Sequence, residues 1–263
     1  ALANSLNVPS VKVLYLAGIN NSINMAENLG ITTLKDRSRY GLSLVLGAAE
    51  VKLLDMVSAF GVFSQEGVRR EPTGFLKVED GNGRVLEEYK DQNQKVLSEQ
   101  VAREINDILS DNNARAPMFG LHSLLSLDDR PVAAKTGTTQ DPNDENRAKD
   151  AWIIGYTPSL VAGVWTGNND NTPIEKGGAG IMAAGPIWHD FMTQALKDAP
   201  IETFAKPDPI ITEKPILNGQ YQTHEILYWL NKNDPQGAPL EKPENDPQFK
   251  NWEASLQNWL KSN

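Results

Sequence analysis

The chain has 263 residues, of which 40% are hydrophobic and 22% charged, the ordinary range for one large globular domain or two small ones. Its net charge of −9 and lack of any basic run argue against a nucleic-acid partner, and the absence of cysteine excludes disulfides and thiolate metal sites. No run of about 18 apolar residues is present to span a membrane.

Residues 1–6 read as the end of a helix. Pro9 then opens a second helix through Val11, Leu14 and Tyr15, with Gly18 as its stop, the usual placing of Pro early and Gly just past the end. Ser5 and Asn7 fall at this helix–helix junction, where such side chains either cap a turn or face a cleft. A short helix is expected over 22–29, capped by Asn21 or Ser22 and ended by Gly30. A longer one over 50–63 is apolar nearly all round and should be buried.

Alternation over 74–89, with Asp80-Gly81-Asn82-Gly83 at its centre, marks a β-hairpin. The same turn lacks the further oxygen ligands of a calcium loop. Residues 98–109 predict an amphipathic helix with Val101, Ile105, Ile108 and Leu109 on one face.

The stretch Arg130-Pro131-Val132-Ala133-Ala134-Lys135-Thr136-Gly137-Thr138-Thr139 comes after a turn signal at Asp128-Asp129 and reads as a strand of small and β-branched residues. Side chains alternate along a strand, so Thr136 and Thr138 project to one side, where two hydroxyls could grip a carboxylate. Gly137 between them lets another backbone approach, and Lys135 supplies a positive charge. Such an edge suits an extended peptide ending in a free carboxylate; an ordinary strand with a solvated lysine is the plainer reading.

Residues 140–150 read as an exposed polar loop. Two strands, 151–157 and 160–166, should come next, joined at Pro158-Ser159 and carrying Trp152 and Trp165. A helix over 186–196, with Ile187, Phe191, Ala195 and Leu196 on its apolar side, should cover the sheet. Eight of the 16 prolines fall from Pro200 onward, which predicts an extended tail. It ends in a helix from Pro247 with Phe249, Trp252, Leu256, Trp259 and Leu260 at helical spacing. The histidines His122, His189 and His224 have no second ligand at metal-site spacing, so neither a metal nor a cofactor is expected.

Several segments together resemble a known family. Ala1-Leu2-Ala3-Asn4-Ser5-Leu6-Asn7-Val8-Pro9 is similar to the S-x-N motif of the transpeptidase domain of class A penicillin-binding proteins, the bifunctional enzymes that build peptidoglycan. Tyr40-Gly41-Leu42-Ser43-Leu44 and the stretch from Ile108 to Arg115 resemble segments further along that domain. Lys135 to Thr139 resembles its K-T-G-T-T. Asp150-Ala151-Trp152, Gly155-Tyr156-Thr157-Pro158 and Val164-Trp165-Thr166-Gly167-Asn168 resemble the family's segments C-terminal to that motif, and the resemblance extends over about residues 1 to 195.

The resemblance implies serine acyl transfer on a peptidoglycan stem peptide ending in D-Ala-D-Ala, with β-lactams as mimics of that end. It implies that Ser5 shuttles a proton to the leaving group and that Asn7 holds the substrate amide. Lys135 would lower the proton affinity of Ser5 and attract the substrate carboxylate, which Thr136 and Thr138 bond. Gly137 and Thr139 complete the substrate edge. The N–H of Thr138 would be half of an oxyanion hole, a donor worth about 3 kcal/mol of barrier. The family's nucleophile lies in an S-x-x-K motif upstream of S-x-N, and no serine here has lysine three positions on. The chain is therefore expected to be a fragment, inert alone, of a parent at the outer face of the bacterial cytoplasmic membrane, whose anchor lies outside it.

The expected fold is α/β (α+β): an antiparallel sheet flanked by helices, with a helical subdomain as the other wall of a cleft. Residues 1–199 would form the partial transpeptidase domain and 200–263 an extension. Two alternatives share the motifs: a D,D-carboxypeptidase or β-lactamase-type hydrolase, and a non-catalytic module that binds stem peptides or the cell wall.

Overall fold

The computed structural model describes residues 1–174, 180–212, 214, 218 and 223–262, without the side chains of 145, 146 and 180. It divides into two compact units, 1–207 and 208–263. In the tail, 213, 215–217 and 219–222 lie outside the described residues.

Residues 2–5 form turns rather than the expected helix end. Helix α1 (Asn7–Ala17) comes next, and Gly18 at φ 83° ends it and opens α2 (Ile19–Leu29) three residues before the expected start. Gly30, in the left-handed region, closes α2 as the sequence indicated. Two short 3₁₀ helices, Arg37–Arg39 and Leu42–Leu46, lead to α3 (Leu53–Ser64). Helix α3 is apolar nearly all round, yet only Ala59, Val62 and Ser64 are buried, and Leu54 stays 60% exposed.

The strands β1 (Val68–Arg70) and β4 (Asn93–Lys95) pair and enclose the expected hairpin of β2 (Lys77–Glu79) and β3 (Val85–Glu88). Asp80 Oδ1 accepts from the N–H groups of Asn82 and Arg84, so this carboxylate serves the turn. Helix α4 (Glu99–Ser110) is capped by Ser98, but its buried line is Ala102, Asn106 and Leu109, with Val101 and Ile108 turned outward. The polar Asn106 is inward because the Tyr156 hydroxyl donates to its Oδ1 at 2.7 Å and its Nδ2 donates to the Phe63 carbonyl. Helix α5 (Asn112–Phe119), with Pro117 inside it, was not expected.

The main sheet is antiparallel, as expected, in the order β5 (Ala133–Asp141), β6 (Asp144–Tyr156), β7 (Val161–Gly167). Residues 140–150 are mostly strand rather than loop: β5 and β6 continue as a ribbon to a turn at 142–143, with bulges at Gln140 and Asp141. The ribbon is anchored where Arg147 donates to the carbonyls of Pro173 and Ile174 and Ala148 is buried.

Helix α6 (Gly180–Ala195) covers one face of the sheet. Its buried line is Ala184, Trp188, Met192 and the adjoining Leu196, while Ile187 and Phe191, expected inside, are more than half exposed. Trp188 packs closely against the sheet because Gly155 has no side chain: a Cβ there would stand 2.2 Å from the indole. On the opposite face Gly163 does the same for α3, since a Cβ would stand 2.5 Å from Val57. Glycines on neighbouring strands thus admit one helix to each face.

Residues 200–207 belong to the first unit. Arg130, buried, donates to the Ala199 and Pro200 carbonyls, the Phe204 ring meets Tyr156 edge-on at 5.6 Å, and Lys206 pairs with Asp107. The second unit contains α7 (Ile226–Trp229), a 3₁₀ turn at Pro243–Asn245 and the expected terminal helix α8 (Phe249–Ser262). Within it Trp252 is buried and Trp259 is 54% exposed, Glu253 accepts from the Glu225 N–H, and Lys232 pairs with Asp246.

Candidate active site

The register of the sheet decides what each residue of the 135–139 stretch can do. Lys135 lies opposite Ile154, Gly137 opposite Trp152 and Thr139 opposite Asp150, and the next rank is Gly163, Trp165 and Gly167. These share the face on which α3 packs. Thr136 and Thr138 alternate to the α6 side and border the groove along the free edge of β5. Among the described residues β5 pairs only with β6, which leaves its other edge without a strand partner.

Helices α3 and α4 fill one end of the first face, around Ala133 and Tyr156. At the other end a groove of about 730 Å³ is left, floored by Lys135 to Thr139, Trp152 and Trp165 and walled opposite by residues from Leu46 to Met56. Asp150 lines it as well and accepts from the Trp165 indole N–H at 2.8 Å. A Cβ on Gly137 would meet Trp152 at 3.4 Å, an ordinary contact, so glycine there keeps the groove open more than it relieves a clash.

Lys135 Nζ donates to Ser5 Oγ at 2.5 Å, joining residues 130 positions apart, and to the Thr136 carbonyl at 2.7 Å. Burial lowers the Lys135 ammonium from the ordinary lysine value to about 8. An ammonium so placed can give up a proton close to neutral pH, and the hydroxyl that accepts its hydrogen bond keeps its own proton to donate.

Ser5 has φ 58°, a left-handed conformation uncommon for serine. Its N–H donates to the Leu2 carbonyl. Asn7 occupies the first position of α1, exposed, and does not join the Ser5–Lys135 contact. Ser5 and Asn7 do not line the groove; Ser5 connects to it through Lys135. Among the described residues no group of His, Cys, Asp and Glu is placed to hold a metal.

Residues that sequence reasoning passed over stand beside this pair. The Asn4 side chain donates to the Ala114 carbonyl at 2.7 Å and accepts from the Met118 N–H at 3.1 Å, both on α5. Arg115, 3% exposed, donates to the carbonyls of Leu109 and Val132. The available signal was Pro117, which has no N–H and leaves a helix short of one bond.

Residues 1–193 match the family model described as the penicillin binding protein transpeptidase domain. The chain belongs to this transpeptidase family. It is 35% identical over 208 residues to penicillin-binding protein 1A of Aquifex aeolicus, covering 79% of this chain and 27% of that protein. It is 34% identical over 217 residues to penicillin-binding protein 2D of Bacillus subtilis, covering 81% and 29% respectively. This transpeptidase-family chain thus spans less than a third of either relative's length. The structure of PonA1 from Mycobacterium tuberculosis in complex with penicillin V is similar at TM-score 0.70 and 30% identity, over 80% of this chain and 58–59% of the chains solved for that protein. The α/β fold expected from the sequence is the fold of penicillin-binding transpeptidases.

Proposed function

We propose that this chain is the S-x-N and K-T-G portion of a serine-type D,D-transpeptidase that cross-links stem peptides ending in D-Ala-D-Ala at the outer face of the bacterial cytoplasmic membrane. The observation that carries the reading is the 2.5 Å hydrogen bond from Lys135 to Ser5, which unites two distant segments beside a groove with an open strand edge. A stem peptide would lie along β5, its carboxylate held by Thr136 and Thr138 and drawn by Lys135, with Gly137 and Thr139 beneath it. The Thr138 N–H would stabilise the developing oxyanion.

When the acyl bond forms, the leaving amine needs a proton. Ser5 donates its hydroxyl proton to that nitrogen and takes one from the Lys135 ammonium, a transfer favoured by a lysine lowered to about 8. By the resemblance Asn7 would hold the substrate amide, which it would have to meet outside the groove that Lys135 lines. β-Lactams would occupy the same edge as mimics of the D-Ala-D-Ala end.

Residues 1–199 are assigned to the transpeptidase portion and 200–263 to an accessory extension whose first residues, 200–207, pack as part of the first unit. Because no serine here has lysine three positions on, the reading places the nucleophile on another segment of a longer parent and makes this chain inert alone. That same absence favours, as second reading, a non-catalytic stem-peptide binder. Fluorescent penicillin tests both: no covalent label is expected on the purified chain, and labelling of the protein from the whole reading frame is expected. Label on the chain itself would overturn its inertness; no label on the whole protein would favour the binder. Cross-linked peptide among the products, as against hydrolysed stem or opened β-lactam, separates transpeptidase from carboxypeptidase or β-lactamase.

A further inference from the structure

The contact between Ser5 and Lys135 has to be held from outside, because a single hydrogen bond cannot fix two segments 130 positions apart against the entropy of the chain between them. Helix α5 is placed to hold them. Ala114 C=O and Met118 N–H are four residues apart, the two ends of one rung of the helical ladder, and the Asn4 side chain bonds both. Pro117 supplies no N–H to the preceding rung, which weakens the ladder where the amide enters. From the same helix Arg115 reaches the Val132 carbonyl, three residues before Lys135, and the Leu109 carbonyl at the end of α4.

We propose that Asn4 is a positioning residue that acts through Ser5: with Arg115 it makes α5 a brace fixing the serine hydroxyl against the Lys135 ammonium. The brace is specific in geometry. An amide presents one donor and one acceptor side by side, as the helix rung requires, whereas a carboxylate lacks the donor and an aliphatic side chain lacks both. Asn4 immediately precedes Ser5, so its two bonds also fix the peptide plane that enters the left-handed residue. The importance of the brace for catalysis rests on the function proposed above; its physical effect on Lys135 does not.

The test follows Lys135 Cε by NMR pH titration in the 263-residue chain, its signal assigned by loss in Lys135→Arg. The wild-type midpoint is expected at about 8. In Asn4→Ala, released Ser5 admits water to the ammonium, and the midpoint should rise by at least about half a unit toward that of free lysine. Ile23→Val, in a separate cluster around α2, provides a core variant of lowered Tm that should leave the midpoint in place. In a Ser5→Ala background, Asn4→Ala should add no further shift, because its effect passes through Ser5. An unchanged midpoint in folded Asn4→Ala, or equal shifts with and without Ser5, overturns the proposal. If Asn4→Ala fails to fold, Asn4→Leu, which keeps the volume, removes both hydrogen bonds and adds no charge, is read by the same criteria. A transpeptidase reading that failed with penicillin would leave these titrations unaffected, so the two failures are distinguishable.

Discussion

Lys135 carries a stability signature of its own. Burial pushes the Lys135 ammonium of the folded chain down to about 8, below the ordinary lysine value of 10.5. Between those values the unfolded chain binds more protons than the folded one, so this residue makes stability rise with pH across that window and contributes no slope below it. Lys135→Met should abolish that rise. Denaturant midpoints at about pH 7.5 and about pH 10 would measure it, and an equal rise in both proteins would contradict the burial of the charge. The sequence placed Lys135 on a strand but gave no sign of its burial, because its contact with Ser5 joins residues 130 positions apart.

At the scale of elements, the glycines of the sheet serve different ends: Gly155 seats a helix, whereas Gly137 lines the groove. Gly155→Ala drives a methyl into Trp188 and should cost about 1–3 kcal/mol, with a lowered denaturation midpoint. Gly137→Ala meets Trp152 at 3.4 Å and should leave stability within about 0.5 kcal/mol of wild type. Small and β-branched residues after a turn signal made the start of β5 legible, the Pro158-Ser159 turn separated β6 from β7, and the Asp-Gly-Asn-Gly turn marked the β2–β3 hairpin. The outer half of the β5–β6 ribbon was not legible, because its residues are polar on both sides and only the backbone ladder continues. The buried faces of α4 and α6 were misjudged for related reasons. Asn106 is inward to serve a tyrosine hydroxyl, and the small Ala184 sets the α6 line ahead of Ile187, which a hydrophobicity pattern weighs the wrong way.

Across the whole molecule, every residue of the candidate site lies in the unit that runs to Pro207. Ending the chain after Pro207 should leave the Lys135 titration unchanged. Ending it after Ala199 removes the Phe204–Tyr156 ring contact, the Lys206–Asp107 pair and the Pro200 carbonyl bonded by Arg130, and should lower Tm by several degrees relative to the longer cut. Calorimetry of the two truncations checks both the tail's contribution and its limit. That segment read in the sequence as the start of a proline-rich tail, since nothing local reveals a strap held by side chains far back in the chain, on Asp107, Arg130 and Tyr156. Likewise, no periodicity brings Ser5 to Lys135; the resemblance of ordered motifs did that. At Ser5 itself, endurance and competence are opposed. Ser5→Gly frees the backbone from its left-handed strain and should exceed Ser5→Ala in stability by about 1 kcal/mol, although both lack the hydroxyl. Once the hydroxyl is lost, selection for heat tolerance would therefore favour glycine over alanine here, and a lineage that keeps serine at this turn carries the strain together with the oxygen.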